Sequence, residues 1–413
     1  MQKHDMLKTL AGLRGNPRAC VYTEPLWGIP SSLYLPFASL YMIALGCGDA
    51  QIGLITTLGM VSQIVFALLS GAVTDKLGRR LTTLIFDIVS WSVPTLIWAL
   101  AQNAYFFVAA AVINGVMRIT QNSWTCLLVE DAEKDKLVAI WSWITVAIIV
   151  SGLAAPLSGV LVEGIGLVPA VRILYLFAFV SMSLKFFILY RYSTETAVGE
   201  IRRRETKGVP LLRLMGAYTG SFRAIRDNPY TLNAFFISFA LVVYETIRNV
   251  FWSIAVVKHI GLPEAAIGVF PFIKSGIMLA FYFLVVPRMN HLNFKRPFIV
   301  GFALLIASNV FLVISPAGSF AMVGVSTFFE ACAFAVIGPF KDTLLVDAIE
   351  PKDRAGTFGL FNLATIVLAS PFGWIAGLLS ERSRMLPFYL LTVFSVAGLA
   401  LVFNIARHKK SFG

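Results

Sequence analysis

Glu24, Arg118, Glu245, Arg248, Lys274 and Glu330 lie inside stretches of the chain that are otherwise apolar. A charge surrounded by hydrocarbon costs several kcal/mol unless it faces water or a partner, so each is a candidate for function. A carboxyl group in such a place is suited to exchanging protons, because burial favours its neutral form. Glu245 and Glu330 are the candidates for that role, while Glu24 sits near the end of its stretch, where a structural pairing is the simpler account. Glu245 and Arg248 are three residues apart and share one helical face. They either neutralise each other or leave Arg248 to alternate between Glu245 and a bound solute. Arg118 is a functional candidate or a cation locked to a carboxylate that holds helices together. Lys341 and Asp342, at the end of a later stretch, fit gate or loop contacts.

The elements that position these groups follow from composition. Of 413 residues 58% are hydrophobic and only 14% are charged, with a mean hydropathy of +0.79. A soluble domain carries roughly 25% charged residues, so lipid is the main solvent here. Apolar runs of about the 20 residues that a spanning helix needs fall at 23–46, 51–73, 81–101, 104–128, 138–162, 168–190, 230–257, 266–287, 297–315, 319–345, 357–380 and 386–406. The expected fold is therefore an all-α membrane protein of twelve spans. It divides into a six-helix bundle at 1–190, a basic linker at 191–229 and a second six-helix bundle at 230–413. The two halves carry matching segments: Gly46–Gly53 resembles Gly261–Gly268, and Leu127-Leu-Val-Glu130 resembles Leu344-Leu-Val-Asp347. A worn counterpart of the loop at 71–80 lies at Asn290–Arg296.

The net charge of +12 is not a nucleic-acid signal, because its position argues otherwise. Lys3, Lys8, Arg14, Arg18, the loop at 76–80, the linker (Arg202 to Lys207, Arg213, Arg223, Arg226), Lys295-Arg296 and Lys409-Lys410 all fall on one side of the expected spans. That bias places both termini in the cytoplasm, and the linker can lean on anionic lipid headgroups. No catalytic or zinc-binding spacing occurs, none of the four histidines lies in a span, and the four cysteines form no Cys-x-x-Cys pair. No enzyme activity, cofactor or metal is expected.

Between the second and third runs stands Gly71-Ala-Val-Thr-Asp75-Lys-Leu-Gly78-Arg79-Arg80. This resembles the loop signature of the major facilitator superfamily, which implies two pseudo-symmetric six-helix bundles around a midplane site. The resemblance implies that Gly71, Asp75, Gly78, Arg79 and Arg80 form a conformational latch against the eleventh helix. Gly71 would serve a close helix approach and Gly78 a turn with unusual φ. Arg118-Ile-Thr-Gln121-Asn122 is similar to the family's fourth-helix Arg-x-x-Gln-Gly signature, which implies a part for Arg118 in proton coupling. Spans 1, 4, 7 and 10 line the cavity in relatives. This implies Trp27, Tyr34, Asn114, Gln121, Trp124, Tyr244, Arg248, Asn249 and Trp252 as substrate contacts, joined by Lys274 of span 8. Ala155-Pro156-Leu157-Ser158-Gly159 matches part of the family's antiporter signature, and Ser370-Pro371-Phe372-Gly373 is similar to it; both read as bends.

The expected function is secondary transport of a small polar solute by alternating access, coupled to protons, by a monomer in the plasma (inner) membrane. Efflux of amphipathic compounds, lipid handling and sensing remain alternatives at this point.

Overall fold

In the computed structural model, residues 10–133, 136–211, 229–285, 295–348 and 354–408 are described, without the side chains of 342–348, 354–358 and 405–408. Lys3, Lys8, Arg213, Arg223, Arg226, Lys409, Lys410 and most of the Asn290–Arg296 counterpart lie outside the described residues, as do the side chains of Asp342, Leu344, Leu345, Val346 and Asp347.

Among the described residues eleven helices are long and apolar enough to cross a membrane, from Asp49–Leu77 to Leu386–Asn404. The first run completes a set of twelve but is broken. It folds as Gly15–Thr23, Pro25–Tyr34 and Ala38–Ala44, with a tight turn at Leu35–Phe37. Pro25 and Pro36 lie at the breaks, where each removes an N–H donor from the helical ladder, while Pro30 is carried inside the second segment. Pro156 and Pro371 likewise open new helical segments, Pro156–Ile165 and Pro371–Arg382. The third span contains a π-helical turn, Ile88–Ser92, between Arg79–Asp87 and Val93–Ala99.

The chain divides into two compact units, Met1–Gly46 with Leu58–Gly216, and Cys47–Thr57 with Ala217–Gly413. In the first, Arg79–Asp87 packs on Met117–Val129, and Leu167–Tyr192 packs on Pro25–Tyr34 and Val93–Ala99. Gly115 allows the fourth span to close on the second: a Cβ there would lie 2.6 Å from the Ser62 Cβ and 2.9 Å from the Gln63 nitrogen. An aromatic cluster of Tyr34, Tyr41, Trp98, Phe107 and Tyr175 fills one end. In the second unit, Lys295–Val313 packs on Phe320–Ala348 and Leu386–His408, and Pro229–Lys258 packs on Leu386–His408. The start of Asp49–Leu77 is tied into this unit, where Asp49 accepts a 2.6 Å hydrogen bond from the Ser380 hydroxyl.

Candidate functional site

The loop signature folds inside the first unit. Gly78 links helices Asp49–Leu77 and Arg79–Asp87 at φ 88° and ψ 162°, a region open in practice to glycine alone. The Glu195 carboxylate accepts the backbone N–H groups of Arg79 at 2.8 Å and Arg80 at 3.2 Å. It thus caps orphan donors at the positive end of a helix. A Cβ on Gly78 would sit 3.0 Å from that carboxylate's carbon. Gly78→Ala is therefore expected to cost about 1–3 kcal/mol through backbone strain alone. An unchanged melting temperature of the purified protein would refute this.

Arg79 is buried and gathers two acids. Its Nη1 reaches Asp75 at 2.9 Å, while Nε and Nη2 fork onto Glu130 at 3.1 and 3.0 Å. Glu130 also accepts the Thr196 hydroxyl. Arg80 donates to the Tyr190 carbonyl at 3.0 and 2.7 Å and lies 4.0 Å over the Tyr190 ring. At Gly71 a Cβ would meet nothing within 4 Å among the described residues.

Deeper in the first unit, Arg118 donates to the Gln63 carbonyl oxygen at 2.9 Å and to that of Gln121 at 2.8 Å. It forms no ion pair among the described residues, so this cation is held by amides rather than locked to a carboxylate. Lys185 pairs with Glu24 at 2.9 Å, and its ammonium lies 5.9 Å from the rings of both Trp27 and Trp124.

In the second unit the partners differ from those expected along one helix. Arg248 pairs with Glu330 of the tenth span, not with Glu245. Lys274 of the eighth span reaches the other Glu330 oxygen at 2.8 Å, and Glu245 pairs with Lys341 at 3.3 Å. The Arg248 guanidinium lies 4.6 Å over Trp252, and Lys274 lies 4.9 Å over Phe334. Tyr244 packs on Phe334 and donates to Asn309 at 3.3 Å. Two cations thus share one buried carboxylate, and Lys274 keeps 33% of its side chain exposed. This cluster carries one net positive charge within an apolar bundle.

A profile for the Major Facilitator Superfamily matches residues 28–365, well over half of the chain. The chain belongs to that superfamily. Solved structures agree in fold. The nucleoside transporter NupG superposes with a TM-score of 0.69 at 15% identity, covering 95% of this chain and 98% of that one. A POT family transporter in complex with 5-aminolevulinic acid gives 0.70 at 11% identity, covering 96% and 98%. The xylose transporter XylE from E. coli gives 0.67 at 14% identity, covering 94% and 96%. No match was found among curated proteins.

Within this facilitator fold the expected cavity residues have different surroundings. Tyr34 is fully buried against Tyr175, with ring centroids 4.8 Å apart. Asn114 donates at 2.7 Å to the Ser90 carbonyl in the π-helical turn. Asn249 is exposed. Trp27 and Trp124 flank Lys185, Gln121 holds Arg118, and Trp252 and Tyr244 belong to the second-unit cluster. Sequence reasoning missed Asp87, Lys185, Glu130 and Glu195. Lys185 and Asp87 met the criterion applied to the other intramembrane charges, and Glu130 stood in a repeated Leu-Leu-Val-acid segment. Glu195 had no signal, being one acid in a polar connection.

Proposed function

We propose that this facilitator is a proton-coupled secondary transporter of a small polar solute, working by alternating access with both termini cytoplasmic. The observation that carries the reading is the Arg248–Glu330–Lys274 cluster. An unbalanced cation in a spanning bundle is costly to maintain, and a polar solute that completes its hydrogen bonds offsets that cost. Glu330, Glu245 and Arg118 serve in this reading as groups that respond to the proton. Trp252 and Tyr244 border the solute, and the Asp75–Arg79–Glu130 network is the latch that favours one access state. The nucleoside, the xylose and the 5-aminolevulinic acid of the structural relatives' descriptions are all small polar molecules, which favours this cargo class over lipophilic compounds.

Thermal stabilisation of the detergent-purified protein tests the cargo class, because a ligand that binds only the folded state raises the melting temperature. The panel holds sugars, nucleosides, organic acids, amino acids and lipophilic cations, at two pH values. A polar hit is then assayed in proteoliposomes, where collapsing the pH gradient is expected to abolish accumulation. Hits confined to lipophilic cations, or accumulation indifferent to the gradient, sink the proposal. For the polar hit, Lys274→Gln is expected to weaken binding by about tenfold or more. That corresponds to losing one charge-assisted hydrogen bond of roughly 1.5–3 kcal/mol, and a titration of the melting shift measures it.

A further inference from the structure

The first unit contains a buried charge cluster whose formal balance is negative. Glu24, Asp87 and Lys185 come from three separate spans and are 6%, 6% and 5% exposed. Lys185 is committed to Glu24 at 2.9 Å. Asp87 makes no ion pair among the described residues; its Oδ1 accepts the Thr120 hydroxyl at 2.7 Å. Thr120 of the fourth span contacts Asp87 directly, and the charged or titratable groups near enough to act on it electrostatically among the described residues are Lys185 of the sixth span and Glu24 with the thiol of Cys20 from the first. Two carboxyl groups therefore lie in the field of one ammonium, which is paired to Glu24, and neither has a second cation partner among the described residues. An ionised, unpaired carboxylate removed from water is several kcal/mol less stable than a neutral or compensated one. The backbone marks the same place. The π-helical turn Ile88–Ser92 begins immediately after Asp87, and such insertions concentrate at functional sites. Its Trp91 meets Trp27 edge-on at 5.1 Å.

We propose that Asp87 is a proton-carrying carboxyl of the first unit, neutral while Lys185 is bound to Glu24. The proton sits on Oδ2, since Oδ1 is the acceptor of the Thr120 hydroxyl. On release to water, Asp87 becomes a carboxylate and the Lys185 ammonium is shared between two acids, loosening its hold on Glu24. Proton movement at Asp87 is thereby linked to the first and sixth spans. A metal cation is a poorer occupant, because the ammonium repels it and the Thr120 proton takes the acceptor oxygen. Only the coupling role of Asp87 rests on the proposed transport function; its protonation does not.

Infrared spectroscopy of the purified protein in potassium chloride, without solute, tests this. The wild type is expected to show the C=O stretch of a buried protonated carboxyl at neutral pH, lost on raising the pH. Asp87→Asn, close in shape, is expected to lack the band. Thr120→Val is expected to keep it at higher frequency, because its hydrogen-bond donor is gone. A band unaffected by both substitutions, or absent from the wild type, overturns the proposal, and a band abolished by sodium replaces the proton with a metal ion. A band that behaves as expected in a protein whose transport ignores the pH gradient would leave the proton site standing and remove only its coupling role.

Discussion

Arg79→Ala is expected to cost about 3–5 kcal/mol of stability, the usual effect of removing one partner from a buried ion pair. The residue is 4% exposed and pairs with both Asp75 and Glu130. Without it, Glu130 would keep the Thr196 hydroxyl but no ion pair, and Asp75 likewise would keep no ion pair, among the described residues. Thermal unfolding in detergent, followed by tryptophan fluorescence, is the measurement. Arg79→Lys separates charge from geometry. A lysine is a point charge that cannot fork onto a carboxylate while reaching a second acid, so it should recover only part of the loss. Wild-type melting of Arg79→Ala would mean that the network has no structural weight. Loss of transport in Arg79→Lys at nearly normal stability would support its role as a latch.

The second large effect is expected at Glu330. Glu330→Gln removes the counter-ion of both Arg248 and Lys274 and should also cost about 3–5 kcal/mol. Stability alone does not distinguish a structural ion cluster from a solute site, so a triple substitution is the sharper experiment. In Arg248→Met, Lys274→Met, Glu330→Leu the whole cluster becomes apolar, a change that is often neutral or stabilising for buried ion networks. The triple variant is expected to melt at or above the wild-type temperature and to bind or transport nothing. Retained transport would show that these charges only hold helices together. These sites share atoms, so the effects of the single substitutions are not expected to add.

Much of the fold was legible along the chain because lipid imposes a length and a composition that can be read locally. The broken first span was not visible as such in its hydropathy, although Pro25 and Pro36 mark its interruptions in hindsight. The loop signature identified Arg79 and Gly78, whose local geometry depends on neighbours in sequence. The acids that complete it, Glu130 and Glu195, lie 51 and 116 residues from Arg79, beyond the reach of any spacing rule.

The intramembrane charges divide in the same way. Sequence by itself determined the number of spans, their membership of a facilitator fold, and that ions such as Arg118, Lys274 and Glu330 must find company inside them. Only the tertiary structure decided which company. It joined Arg248 to Glu330 across two helices instead of to Glu245 on its own, left Arg118 to two glutamines, and placed Asp87 beside a lysine already committed to Glu24. The physical reason is that helical periodicity specifies which residues share a face of one helix. In a bundle surrounded by lipid, the rotation and height of each helix depend on packing against its neighbours, and those two variables choose the partner of every buried charge.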